Sequence, residues 1–440
     1  MIQNLDVFLW GRKVGSLVAY KERYTEKICF YFDRDFLGSG YDIAPLRASI
    51  GSVSVRNGLP VYAEEGKLFG GLPSFIADSL PDHWGNRVFN EWAKAHHIST
   101  RELSALDRLA YIGRRGMGAL EFLPPAAEDM EQPFKVEIAE LYKLAQSALN
   151  EARNFKTEIQ PDFLIESLFK VGTSAGGRRP KAIINLNPET QSCYSGQVAP
   201  PQPGYVPMII KFDEHTDIPT TRIEYSYYLM AKDAGMKMMP SYLVEGEQAA
   251  HFLTERFDRR EGKKVHIQTL AAMQPDSDSY ESLFDTACNI GILPAELKQL
   301  FLLTVMNVLG GNVDDHNKNF SFLMSDDGVW HTAPAYDFTF SVDPSAPGYM
   351  NRHSMTINNK NCDIERGDLL ELAKRYNIKG ANALIEKAVG VVSDYERYAQ
   401  QAGVNGYWQQ KIKEETGYRV EIMSDTARHR GIVYTQIIRG

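Results

Sequence analysis

Between Pro294 and Phe338 the chain changes texture three times, and no other stretch restricts its fold as tightly. "PAELKQLFLLTVMNVLGG" is apolar on nearly every side, which predicts a helix buried all round. Pro294 suits its first turn, and Gly310 is expected just past its end. "NVDDHNKNFSF" then sets two carboxylates, a histidine, a lysine and several asparagines against that core. "NFSFLM", "SDDG" and "VWHTAPAYDF" follow as strand, turn and returning strand. Such a hairpin brings Asp337 back beside Asn319. Polar groups packed next to a core need partners or a task, because burial without either is costly.

Asp314 and Asn319 are spaced as D-x-x-x-x-N. In phosphoryl transfer the Asp accepts a hydroxyl proton while the Asn, one loop-turn on, holds Mg²⁺. The spacing alone is weak, but a second carboxylate delivered by a hairpin strengthens it. Two other readings stay open at this point. Asp314 and Asp315 can cap a helix while His316 satisfies a buried partner. Alternatively, Asp314, Asp315, His316 and Asp337 form a metal-hydrolase cluster, which lacks a second histidine although His331 is near in sequence.

Upstream, "VGTSAGGRRPKAIINLN" reads as a glycine-rich turn entering a strand, with backbone able to face phosphate. "MIIKFDE" is a short apolar strand carrying Lys211, which needs an anion such as Glu224 or a phosphate, or else an exit to solvent. "RIEYSYYLMAKDAG" is a helix with Ile223, Tyr227, Met230 and Ala234 on one face, stopped by Gly235. "SYLVEGEQAAHFLTERFD" gives two strands around a Glu-Gly turn, and Glu255 to Phe257 end where a nucleotide hinge would lie. Glycine loop, strand lysine, helix, strands is the order of a kinase-like N-lobe. The stretches "DLLELAKRYNI" and "ALIEKAVGVVSDYERYAQQ" add amphipathic helices to a mainly helical C-lobe.

The 440 residues suffice for two or three domains. Residues 1–125 read as an α+β unit: a hairpin in "DVFLWGRKVGSLVAY", a helical "GLPSFIADSLPDHWGNRVFNEWAKAHH" and a closing strand in "GALEFLPP". An acidic, Pro-bounded linker and an amphipathic helix (Ile138, Leu141, Leu144, Ala145, Leu149) open 126–260, the linker helix and N-lobe. The C-lobe with the catalytic loop takes 261–440. The expected class is α+β, with a bilobal kinase-like fold after the first unit.

A net charge of −8 argues against nucleic acid as the main direct partner. Four dispersed cysteines without a CxxC pair fit a reducing cytoplasm rather than a zinc or disulfide scaffold. The N-terminus lacks a signal-peptide core, and the apolar run Leu300–Leu309 is too short to span a bilayer.

The motifs "SFIADSLPDHWGNRVF", "GALEFLPP", "GTSAGGRRPKA", "IIKF", "ERFDRR", "DDHNKNFSF" and "YDFT", in this order, resemble the HipA family of serine/threonine protein kinase toxins from type II toxin–antitoxin modules. The resemblance covers nearly the whole chain. It implies ATP and Mg²⁺ as cofactors, Asp314 as the catalytic aspartate, and Asn319 with Asp337 as metal ligands. It implies ATP contacts from Ser174, Ala175, Gly176, Gly177, Lys211, the hinge Glu255, Arg256 and Phe257, His316, Lys318 and Tyr336. It further implies autophosphorylation at Thr173 or Ser174, which ejects the loop and silences the kinase. Its implied partners are a small helix-turn-helix antitoxin of the HipB kind, DNA through that antitoxin only, and a protein substrate such as an aminoacyl-tRNA synthetase. The chain departs from the broader kinase pattern: no His-Arg precedes Asp314, and "YDFT" stands in place of Asp-Phe-Gly. A catalytically weak co-repressor subunit is the alternative.

Overall fold

The computed structural model describes residues 2–22, 25–64, 69–101, 103–126, 134–151, 169, 172, 177–196, 201–214, 217–247, 249–346 and 351–423. Thr173, Ser174, Ala175 and Gly176 of the glycine-rich loop lie outside the described residues, as do 127–133 of the expected linker and the side chain of Leu149.

The protein is α+β. Strands β1 (Asn4–Leu9), β2 (Arg12–Glu22), β3 (Thr25–Phe32), β4 (Val61–Tyr62) and β5 (Leu120–Leu123) form an antiparallel sheet in the order β4-β3-β2-β1-β5. The β1–β2 turn places Trp10 and Gly11 at positive φ, as the Gly11-Arg12-Lys13 signal predicts. Leu5, Val7 and Leu9 of β1 alternate inward, and Asp6 and Phe8 do not.

The expected long helix after residue 70 is two helices, Ser74–Ala77 and His83–Ala95. Pro81 sits in the break, where it offers no N–H to a continuing helix. The break redirects the chain. Phe75 and Ile76 join the core of the N-terminal sheet, whereas Trp84, Val88, Phe89 and Trp92 join a different core.

That second core lies under strands β6 (Lys135–Val136), β7 (Lys181–Leu186), β8 (Cys193–Ser195), β9 (Val206–Lys211), β10 (Ser241–Glu245) and β11 (Ala250–Glu255), in the order β10-β11-β9-β7-β8-β6. Helix Thr220–Ala234 packs beside it and buries Ile223, Tyr227, Met230 and Ala234, the face read from the sequence. Gly235 closes it in the left-handed conformation.

Beyond a small ladder of β12 (Arg259–Arg260) with β13 (Lys263–Lys264), strands β14 (His266–Thr269), β15 (Ser321–Met324) and β16 (Trp330–Thr332) form a third sheet. Helix Pro294–Gly310 is buried from Leu300 to its end. It runs one residue further than expected, with Gly311 as the left-handed cap. Gly310 accepts the Tyr227 hydroxyl at 2.5 Å, which ties the helix before the Asp314–Asn319 loop to helix Thr220–Ala234. Asp394 divides "ALIEKAVGVVSDYERYAQQ" into helices Ala381–Ser393 and Tyr395–Gln401. The N-terminal sheet and the helical C-lobe share one continuous apolar core, while the second sheet has its own. No helix among the described residues is long and apolar enough to cross a membrane.

Candidate active site

β9 runs between β11 and β7, so its last residue, Lys211, emerges from the middle of a sheet. Its backbone neighbours are Phe252 on one side and Lys181 on the other. Lys211 is buried, and its ammonium meets two carboxylates. Glu224, on helix Thr220–Ala234, lies 2.5 Å from Nζ, and Asp337 forms the second ion pair. Burial alone would lower the Lys211 pKa, but Asp337 and Glu224 outweigh it and hold the amine firmly protonated. Burial likewise opposes ionisation of Asp337, and Lys211 and Lys181 reverse that, holding its carboxyl well below the usual range.

The hairpin β15–β16 forms as predicted, pairing Phe322 with Thr332 and Met324 with Trp330. Past it, Tyr336 donates its hydroxyl to the Lys318 carbonyl at 2.7 Å. That bond ties the Tyr336-Asp337 step to the Lys318-Asn319 step. Asp337 itself has φ of +51°, a strained setting for a residue with a Cβ. Asn319 donates its amide to the Asp314 carbonyl at 2.7 Å, leaving its amide oxygen as a ligand atom. The Asp314 backbone is held by Ser341 at 2.9 Å, while its side chain stays 69% exposed. His316 Nε2 lies 3.9 Å from Asp314 Oδ1.

Neither Asp314 nor Asp315 caps a helix: the turn Asn317–Asn319 starts from His316, with no side-chain cap. Asp315 points into the core, where Tyr280 and His353 bond it at 2.7 and 2.8 Å and the Ser354 N–H at 2.8 Å. His331 faces Glu296 instead. Among the described residues no group of three or more His, Cys, Asp or Glu is placed to hold a metal ion, and the hydrolase cluster loses its second carboxylate to the core.

Glu255 ends β11, and the Phe257 ring packs on Tyr336 at 5.7 Å between centroids, so the segment after β11 touches the one that carries Asp337. The Arg256 side chain does not face this site. Its guanidinium grips Asp258 at 2.7 and 2.8 Å, and its N–H is taken by the Pro207 carbonyl.

Lys181, Arg179 and Asp82 are in neither the nucleotide nor the metal set expected from the sequence. Lys181 follows Arg178-Arg179-Pro180. It is buried on β7 opposite Lys211, and burial, with Lys211 adding to it, drives its pKa down to about 8 despite Asp337. Arg179 lies 4.0 Å from Glu224 and 3.8 Å from Glu214. Asp82 accepts Lys318 at 3.0 Å and the Gly177 N–H at 3.1 Å.

A strand lysine, a helix glutamate and a hairpin aspartate meeting at one point give the chain a kinase-like fold. Comparison with known families agrees. Residues 5–123 match the HipA N-terminal domain and residues 173–400 the HipA-like C-terminal domain. The chain belongs to the HipA family. Among solved structures, HipA of Shewanella oneidensis MR-1, determined in a toxin–antitoxin complex with HipB and its operator DNA, superposes with a TM-score of 0.64 at 16% identity, over 97% of this chain and 100% of that one. The Helicobacter pylori proinflammatory kinase CtkA aligns over 51% of this chain and 90% of its own, at 14% identity and a TM-score of 0.36. No curated protein matches the chain.

Proposed function

We propose that this chain is a Mg·ATP-dependent serine/threonine protein kinase acting as the toxin of a type II toxin–antitoxin pair. The observation that supports it most is Lys211, buried at a sheet's centre and bridging Glu224 and Asp337. A lysine held protonated between a helix glutamate and a loop aspartate is pre-set to receive nucleotide phosphates. The donor set fits Mg²⁺ as well, because Asp337 stays ionised and Asn319 offers an amide oxygen. When bound, the ion neutralises charge across the transferring phosphates. Lys211 and Lys318 would meet the nucleotide's phosphates, and Glu255 and Phe257 would border the adenine. The exposed Asp314 carboxylate accepts the substrate's hydroxyl proton as its oxygen bonds to the γ-phosphorus. The bond to the β-phosphate oxygen breaks, and ADP leaves.

Intact mass after incubation with Mg·ATP tests this. A gain of one phosphate is expected. Nucleotide binding without that gain favours the weak co-repressor subunit. Phosphopeptides should map to Thr173 or Ser174, since a group carrying about −1.5 to −2 charge there competes with ATP for the same place. Phosphate found only outside 172–181 removes the self-inactivation. A helix-turn-helix antitoxin of the HipB kind, the partner in the Shewanella complex, is the proposed companion in the cytoplasm. DNA contact would then run through it, in keeping with a net charge of −8. An aminoacyl-tRNA synthetase is the substrate class to test first, by phosphoproteomics after expression.

A further inference from the structure

The short segment Asp82-His83-Trp84 belongs to the N-terminal unit, yet its polar groups are spent on the kinase-like part. Asp82 occupies the N-cap of helix His83–Ala95, where an aspartate normally bonds its own helix. Here its side chain makes no capping bond. Instead Oδ1 takes the Lys318 ammonium at 3.0 Å and Oδ2 takes the Gly177 N–H at 3.1 Å. Two residues on, the Trp84 N–H donates to the Gly177 carbonyl at 3.1 Å, and its buried indole donates to the Lys181 carbonyl at 2.8 Å. Asp82 and Trp84 thus grip the chain on both sides of Arg178-Arg179-Pro180. Gly177 suits this grip: its φ is +102°, and a Cβ there would meet Lys181 Nζ at 2.5 Å. The ion pair has side chains 40% and 30% exposed. Pairs that open contribute little to stability, so the fold itself does not call for it.

We infer that Asp82 is a positioning residue of the phosphotransfer site, holding the end of the glycine-rich loop with Trp84 and orienting the Lys318 ammonium toward the transferring phosphate. The inference rests on the kinase reading. The N-terminal unit then completes the active site rather than standing beside it. One carboxylate serves both halves of the site: Gly177 precedes β7 in the N-lobe, and Lys318 lies in the catalytic loop of the C-lobe.

The test uses the full chain and the variants Asp82→Ala and Asp82→Asn. It reads the Mg·ATP dissociation constant, the single-turnover rate of phosphate gain, and the thermal midpoint. Asp82→Ala loses a charged acceptor on both sides, so affinity and rate should each fall roughly tenfold or more. Asp82→Asn keeps an oxygen for the Gly177 N–H but not the charge that holds Lys318. Its affinity should stay within about threefold of the parent while its rate falls as in Asp82→Ala. Both midpoints should stay near the parent's, because the helix loses no side-chain cap. Amide exchange in the ligand-free chain gives a readout independent of transfer: Asp82→Ala should speed exchange across 177–186 and leave 206–211 unchanged. Unchanged exchange, or affinity and rate losses that only track a lowered midpoint, overturns the inference. An active parent alongside variants indistinguishable from it overturns the inference alone. A parent that neither binds nor transfers phosphate overturns the kinase reading and this inference with it.

Discussion

Two clusters of charge each set an aspartate among cations, and they behave differently. At the junction of the N-terminal unit and the second sheet, Asp258 is fully buried and accepts four donors. Arg256 gives two bonds at 2.8 and 2.7 Å, Arg259 one at 2.7 Å, and the Gly118 N–H one at 2.8 Å. Burial opposes its ionisation, and the two guanidiniums overcome that, keeping the carboxyl far below its usual range. At the candidate active site Asp337 is also held ionised, but its partners are flexible lysines and its side chain remains 34% exposed. The first acid is closed by planar forks that fill its lone pairs. The second is left with a face for something else, on a strained backbone. Saturation marks structure, and an acid with an open face marks chemistry.

The sharpest way to break this comparison is Asp337→Ala. Phosphate gain should be abolished while the chain stays folded, because Lys211 keeps Glu224 and alanine offers no oxygen to a metal. Self-labelling at the parental rate would remove Asp337 from the chemistry.

Asp314→Asn comes next. The carboxylate is exposed and makes no contact that the fold depends on. ATP affinity should hold while single-turnover transfer slows by about 10²–10⁴-fold, the usual effect of losing a general base. Lost affinity with unchanged turnover would make the residue structural.

Asp258→Asn should invert that pattern. Two buried guanidiniums lose their counter-charge, a change that costs about 3–5 kcal/mol. The urea midpoint should fall accordingly, while the fraction still folded transfers phosphate at close to the parental rate. A stable but inactive Asp258→Asn chain would erase the distinction between the clusters.

The sequence carried one of these clusters and hid the other for a physical reason. Lys211, Glu224, Asp314, Asn319 and Asp337 stand out because each lies in a local pattern: a strand, a helix face, a loop spacing, a hairpin. Arg256 and Asp258 sit in "ERFDRR", where a hinge and a salt bridge look alike, and only the structure turns the guanidinium onto Asp258. Asp82 is hidden more thoroughly. An aspartate before a helix has a complete local explanation as a cap, and its real partner is 236 residues away. Helix His83–Ala95 poses the same problem. Trp84, Val88 and Phe89 recur at helical spacing, but nothing in that spacing tells that they are buried beneath a later sheet. Lys181 follows two arginines and a proline, which reads as a solvated turn until β7 pairs it with Lys211.

The smallest expected effect concerns a third carboxylate, Asp78, which separates partner charge from partner number. It accepts the Thr269 N–H at 2.7 Å and the Thr269 hydroxyl at 2.9 Å, both neutral donors. Burial raises its pKa from 3.8 to about 6; the Thr269 bonds and the Lys318 charge offset only part of that, and Asp82 adds to the rise. Its pH signature should therefore oppose that of Asp258. Asp258, depressed in the fold, contributes stability that is lost as pH falls through its unfolded value toward its folded one. Asp78, raised in the fold, takes up a proton in the native chain between pH 3.8 and about 6 that the unfolded chain does not hold. Stability from this group is thus fully present below that window and is lost as pH rises through it. Urea midpoints of the parent and Asp78→Asn, compared at intervals across the window, isolate the term. Relative to the variant, the parent should lose stability steadily up to about pH 6 and then run parallel to it. A difference that stays flat across the window would mean that two neutral donors keep a half-buried carboxylate ionised as well as two guanidiniums do.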